Sequence, residues 1–138
     1  MRNREELFKE IQLKSSFLCI GLDPDIDRIP VSCGTGVLGM ESFCKKIIDS
    51  THDLAVAFKP NLAFFEQYGS EGWSALKRII EHIPKDCLVI ADAKRGDIGN
   101  TASRYAQAIF EGLGADAITV APYMGEDSVR PFIDFQEG

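Results

Sequence analysis

The chain is 138 residues long, 45% hydrophobic and 26% charged, a balance that suits one folded globular domain. Its net charge of −6, with no Lys/Arg cluster, leaves no electrostatic footprint for nucleic acid and disfavours an anionic membrane surface. No apolar run reaches membrane-spanning length, and Met1 to Leu7 lacks the apolar core of a signal peptide.

In chain order, Arg2 to Lys14 is predicted as a short amphipathic helix with Leu7, Phe8 and Ile11 on one face. Phe17 to Leu22 reads as the first strand, ended by Asp23-Pro24. The stretch from Pro24 to Gly39 is rich in Pro, Gly, Asp and Ser, and a loop is expected there. Met40, Phe43, Cys44, Ile47, Ile48 and Thr51 recur at helical spacing. Leu54 to Phe58 is the second strand, closed by Lys59-Pro60-Asn61, and a helix is predicted from about Glu71 to His82. Leu88 to Ala91 is the third strand, and Ala102, Tyr105, Ala106, Ile109, Phe110 and Leu113 mark its following helix. Gly112 and Gly114 are expected to stop that helix. Ala117 to Ala121 is the fourth strand, and a last helix is expected near Glu126.

Strand and helix thus alternate in units of roughly thirty residues. The strands are nearly all apolar, the pattern of parallel strands covered on both faces. Two closures fit this α/β pattern: an open doubly wound sheet, or part of a (β/α)8 barrel. A whole barrel needs about 250 residues, so the chain holds about half of one. Bare strand edges invite association. Residues 1–138 are therefore expected to be a single domain that forms the N-terminal portion of a barrel, or to have edges that something else covers.

None of the 4 cysteines forms a C-x-x-C pair, and the only 2 histidines are His52 and His82, so no zinc site is expected. Cys19 and Cys87 fall in or beside apolar strands and Cys44 on an apolar helix face, which suits small buried thiols. A reducing, cytoplasmic setting is the expectation. Gly34-Thr-Gly-Val-Leu-Gly39 matches G-x-G-x-x-G, but the dinucleotide fingerprint needs an apolar strand directly before it. Here Arg28-Ile-Pro-Val-Ser-Cys33 precedes it, and no cofactor is expected.

Charged and polar residues gather where the strands end. The first ends in Asp23, the second in Lys59 and Asn61, the third in Asp92 and Lys94. Strand alternation puts Asp92 and Lys94 on one face. The C-terminal rim of a parallel sheet is where ligands bind in α/β folds. A network of alternating charges there would hold Lys94 protonated and aimed, ready to deliver a proton to a developing carbanion. Each residue also has a plainer reading: Asp97 as the N-cap of the next helix, Thr101 as first-turn support, Lys59 as a solvated strand end, Asp92 with Lys94 as a structural ion pair.

Asp92-Ala-Lys-Arg-Gly-Asp97-Ile98 resembles the D-x-K-x-x-D-I motif of the orotidine 5′-phosphate decarboxylases. The longer run to Thr101 resembles their longer bacterial subgroup, as do Gly21 to Asp25, Phe58 to Phe65 and Pro122 to Gly125. Where many relatives carry Asn before Pro-Tyr, this chain has Ala121. The resemblance implies a (β/α)8 barrel, a homodimer with shared active sites, and decarboxylation of orotidine 5′-monophosphate to UMP without metal or organic cofactor. It implies Lys59, Asp92 and Lys94 as the catalytic network, with Lys94 the proton donor to C6, and Asp97 as an acid given by the neighbouring subunit. It also implies Asp23, Asn61 and Thr101 as substrate contacts, Thr101 again from the partner. The family's phosphate grip, a Gly-rich loop and an Arg near the seventh and eighth strands, is not among these residues.

Rival readings are a Mg²⁺-dependent phosphosugar lyase on a related D-x-K-x-x-D barrel, a Schiff-base aldolase using Lys59 or Lys94, and an inactive half-barrel that needs its C-terminal half.

Overall fold

Asn3 opens the first helix of the computed structural model, which describes residues 3–135. The Asn3 side-chain oxygen accepts the backbone N–H groups of Glu5 and Glu6, both at 3.0 Å, and Glu6 returns the bond to Asn3 N–H. This capping box starts α1 (Arg4–Lys14). Arg2, which the sequence pattern includes in that helix, lies outside the described residues. Lys14 at its far end donates to the carbonyls of His52 and Ala55, both at 2.8 Å, and pairs with Asp86 at 2.7 Å. One side chain thus seals α1 beneath the start of the second strand.

The chain continues through β1 (Leu18–Leu22), α2 (Gly36–Thr51), β2 (Ala55–Pro60), α3 (Ala63–Glu66), α4 (Gly69–His82), β3 (Leu88–Arg95), α5 (Gly99–Gln107), β4 (Ala117–Val120) and α6 (Arg130–Ile133). The strands are all parallel and lie in the order β1-β2-β3-β4. Each new strand adds to the same side, as in a barrel. A doubly wound sheet reverses direction at a switch point, and no reversal occurs among the described residues.

The sheet's outward face carries the core. Leu22, Phe58, Val89 and Ala91 from the strands pack with Met40, Cys44 and Ile48 of α2 and Leu76, Ile79 and Ile80 of α4. Ile118 and Val120 of β4 pack with Ala102 and Ala106 of α5 and with Phe132. Alternation then sends Cys19, Lys59, Asp92 and Thr119 to the inward face.

Several boundaries differ from the sequence expectation. α2 begins at Gly36, within the expected loop, because Gly39 is pressed against Gly34: a Cβ at Gly39 would lie 2.6 Å from the Gly34 carbonyl. The glycine run therefore serves a tight backbone crossing. Cys19 is exposed, against the expected buried thiol, since β1 is an edge strand and Cys19 points away from the helices. Cys44 and Cys87 are buried as expected, and burial pushes the Cys44 thiol up to about 12. The helix after β3 ends in a π-helical turn, Ala108–Leu113, closed by Gly114 in the left-handed region at φ 78°. Short 3-10 turns at Pro122–Met124 and Glu126–Ser128 come before α6, which starts later than expected.

Candidate active site

β3 runs four residues further than its apolar stretch, so Asp92 and Lys94 lie within the strand. Asp92 Oδ1 accepts a hydrogen bond from Lys94 Nζ at 2.6 Å, and Oδ2 accepts one from Lys59 Nζ at 3.1 Å. Lys59 comes from the neighbouring strand β2, next to Phe58 in the core. Asp92 itself is 8% exposed. The hydrogen bond from Lys94 holds its carboxyl down at about 2, against the opposing effect of burial and with help from Thr119 and Lys59. Asp92 is thus a fixed anion between two ammonium groups. The side chain of Lys94 is 68% exposed and that of Lys59 34%, so both cations reach the open inward face.

The strand is distorted where Asp92 and Lys94 meet. Ala91 pairs with Ile118 of β4, and the next pair is Arg95 with Val120, so β3 carries an excess of residues here. Lys94 takes up the bulge with φ 50°, the left-handed region that non-glycine residues seldom occupy. The N–H groups of Ala93 and Lys94 both donate to Thr119 Oγ1 at 3.0 Å, and Thr119 donates to Asp92 Oδ1 at 2.9 Å. Gly96 then lets the two strand ends close up, since a Cβ there would lie 2.8 Å from the Ala121 carbonyl oxygen.

Asn61 knits the other strand ends. Its N–H donates to the Leu22 carbonyl at 3.1 Å, its Nδ2 donates to Asp23 Oδ2 at 3.0 Å, and its backbone bridges to Asp92. Asp23 is therefore held beside Asn61. Asp97 and Thr101 lie apart from this network. Asp97 Oδ1 accepts the N–H of its neighbour Ile98 at 2.8 Å, and Thr101 sits exposed in the first turn of α5. Ile98, not Asp97, is the N-cap of α5, so the capping reading of Asp97 is corrected. The backbone leaves β3 in a loop that places the cap one residue later.

Sequence reasoning missed Thr119 and the clamp around Arg95. The Arg95 guanidinium pairs with Glu66 of α3, donates to the Ala93 carbonyl at 3.3 Å and lies 5.6 Å from the centre of the Tyr105 ring of α5. A Thr at an inward register of an otherwise apolar strand was the available signal for Thr119. The Arg95 clamp has no local pattern, because its partners come from distant helices.

Among the described residues, no group of three His, Cys, Asp or Glu side chains is placed to hold a metal ion. Both oxygens of Asp92 already face ammonium or hydroxyl donors. The arrangement suits chemistry in which negative charge builds beside Lys94 and a proton is then delivered to it.

Residues 16–137 match the model of the orotidine 5′-phosphate decarboxylase / HUMPS family. The chain is 55% identical over 134 residues to the orotidine 5′-phosphate decarboxylase of Christiangramia forsetii, covering 95% of this chain and 49% of that protein. It is 53% identical over 135 residues to the corresponding protein of Flavobacterium johnsoniae, covering 96% and 50%. Among solved structures, the OMP decarboxylase of Leishmania donovani superposes with a TM-score of 0.81 at 43% identity, covering 94% of this chain and 49% of that one. The chain spans about half the length of the curated relatives it matches.

Proposed function

This chain belongs to the orotidine 5′-phosphate decarboxylase / HUMPS family, and on that premise we propose that it supplies the catalytic strands of a cofactor-independent decarboxylase converting orotidine 5′-monophosphate to UMP. The observation that carries this reading is the Lys59–Asp92–Lys94 chain of charges on the inward face at the strand ends. The substrate carboxylate would meet Asp92, whose charge persists far below neutral pH. Crowding one anion against another raises the ground state, and loss of neutral CO₂ relieves it. The electron pair of the broken C6–carboxylate bond stays on C6, where the Lys94 ammonium opposes it and then gives it a proton. We assign Asp23 to a ribose contact and Asn61, which donates to it, to a further substrate contact. Asp97 and Thr101 are outside their own subunit's network, which suits donation to a partner's site in a homodimer.

The engagement of Asp92 by two cations favours this reading over a Mg²⁺-dependent lyase, because a divalent ion there would have to displace them. We assign residues 1–138 as one unit, the N-terminal portion of the barrel, acting in the cytoplasm. No helix among the described residues is long and apolar enough to cross a membrane.

The test pairs the 138-residue chain with the C-terminal half of the Christiangramia forsetii relative and follows the loss of orotidylate absorbance. Turnover that survives EDTA is expected from the pair. Lys94→Ala should lower it on the order of a hundred- to a thousandfold, the usual effect of deleting a group that stabilises developing charge. Near-normal turnover by Lys94→Ala would overturn the assignment. Activity abolished by EDTA and restored by Mg²⁺ would favour the metal-dependent lyase.

A further inference from the structure

Thr119 has a single hydroxyl, and every hydrogen bond that hydroxyl can make is directed at the charged segment of β3. A threonine hydroxyl has one donor and two acceptor positions. Here the two acceptor positions take the N–H groups of Ala93 and Lys94, each at 3.0 Å, and the donor goes to Asp92 Oδ1 at 2.9 Å. Those N–H groups lie in the bulge, where the register jumps from Ala91 opposite Ile118 to Arg95 opposite Val120. Residues 92–94 have no ladder partner in the β3–β4 register, and the Thr119 side-chain oxygen receives two of their N–H groups. Lys94 sits at φ 50°, a conformation that persists only where its surroundings over-determine it.

We infer that Thr119 is a positioning residue: its hydroxyl holds the left-handed turn at Lys94 and the Asp92 carboxylate as one rigid unit, so that the Lys94 ammonium is aimed before substrate arrives. The inference rests on the reading of Lys94 as the proton donor. Thr119 does not need to touch the substrate to act in this way. Lys94 is a long side chain, largely exposed, and its backbone turn and its bond to Asp92 limit where Nζ points. Thr119 secures both. A small error at a reacting group costs on the order of a hundredfold in rate, and preorganisation is what the bulge provides.

The test compares Thr119→Val, which keeps the shape and removes the hydroxyl, with Thr119→Ser, which keeps the hydroxyl and removes the methyl. Thr119→Ala is the second hydroxyl-free variant, should the Val form fold poorly. In the assembly with the relative's C-terminal half, Val is expected to lower kcat on the order of ten- to a hundredfold with KM little changed, and Ser to restore most of it. In the chain itself, hydrogen exchange at the Ala93 and Lys94 amides is expected to quicken on the order of tenfold in Val and not in Ser. Unchanged kcat in Val, a rise in KM alone, or equal losses in Val and Ser would each overturn the inference. If the unaltered assembly shows no turnover, the functional reading fails instead, and the amide exchange alone decides whether Thr119 pins the bulge.

Discussion

Asp92 shows how a residue can matter far more to chemistry than to stability. It is almost fully buried, and three donors converge on its two oxygens. Asparagine at this position would turn an NH₂ toward an ammonium group, donor against donor. The stability cost is nonetheless small, because Lys59 and Lys94 both reach the open face and can be solvated once their anion is gone. Asp92→Asn is therefore expected to lower stability by only about 2 kcal/mol at neutral pH while turnover collapses. The sign of the pH dependence follows from the depressed carboxyl. Its ordinary value is 3.8 and its folded value about 2, so its ionisation stabilises the fold above the ordinary value and ceases to as pH falls toward the folded one. Denaturant titrations of the two proteins from neutral to acid pH check this. The stability gap should be present at neutral pH and vanish in the window between those two values. A gap that widened with acid would contradict the ion-pair account.

At the scale of elements, the close approach of α3 and α4 behind the end of β2 hangs on one glycine. A Cβ added at Gly72 would lie 1.9 Å from the Phe65 carbonyl oxygen and 2.8 Å from its carbon, backbone atoms that cannot rotate away. Inside a helix, Gly→Ala ordinarily stabilises by about 1 kcal/mol. Here the clash outweighs that gain, and Gly72→Ala is expected to destabilise by about 2 kcal/mol, read from the urea midpoint. A stabilised variant would show that the helices can separate freely. This joint also marks the limit of what the sequence made legible. The strands and the long helices were readable because Phe58, Ala91 and Ile79 repeat at the periods that burial on one face requires. Lys59, Asp92 and Lys94 were placed together correctly, since each follows the apolar run of a parallel strand. α3 was not foreseen, because four residues are too few to show a period. The start of α2 was missed because its glycines read as loop, although they are there to let backbones touch. The β3 bulge was invisible for another reason: register depends on the partner strand, and Lys94's positive φ leaves no mark on local composition.

For the whole molecule, the arrangement of Asp97 and Thr101 raises the question of which subunit they serve. Both follow β3 on the loop and first turn of α5, and neither belongs to the network of Lys59, Asp92 and Lys94. Beside them Ile98 is 53% exposed, with Tyr123 at 94% and Met124 at 49% in the turn after β4. Apolar side chains left bare near a charged rim suit a subunit contact. In a two-fold dimer the same patch meets itself, so each subunit would lend its Asp97 to the other's site. Mixing Lys94→Ala and Asp97→Asn chains, each paired with the C-terminal half, separates the two cases. If Asp97 acts across the interface, a mixed dimer has one site with both defects and one with none. Random mixing then restores about one quarter of the unaltered activity, since half the dimers are mixed and each rebuilds one site of two. If Asp97 acts within its own subunit, every site carries a defect, and the mixture stays as inactive as either variant alone. Turnover measured before and after exchange of subunits gives the answer, and an unchanged low rate after full exchange would assign Asp97 to its own chain.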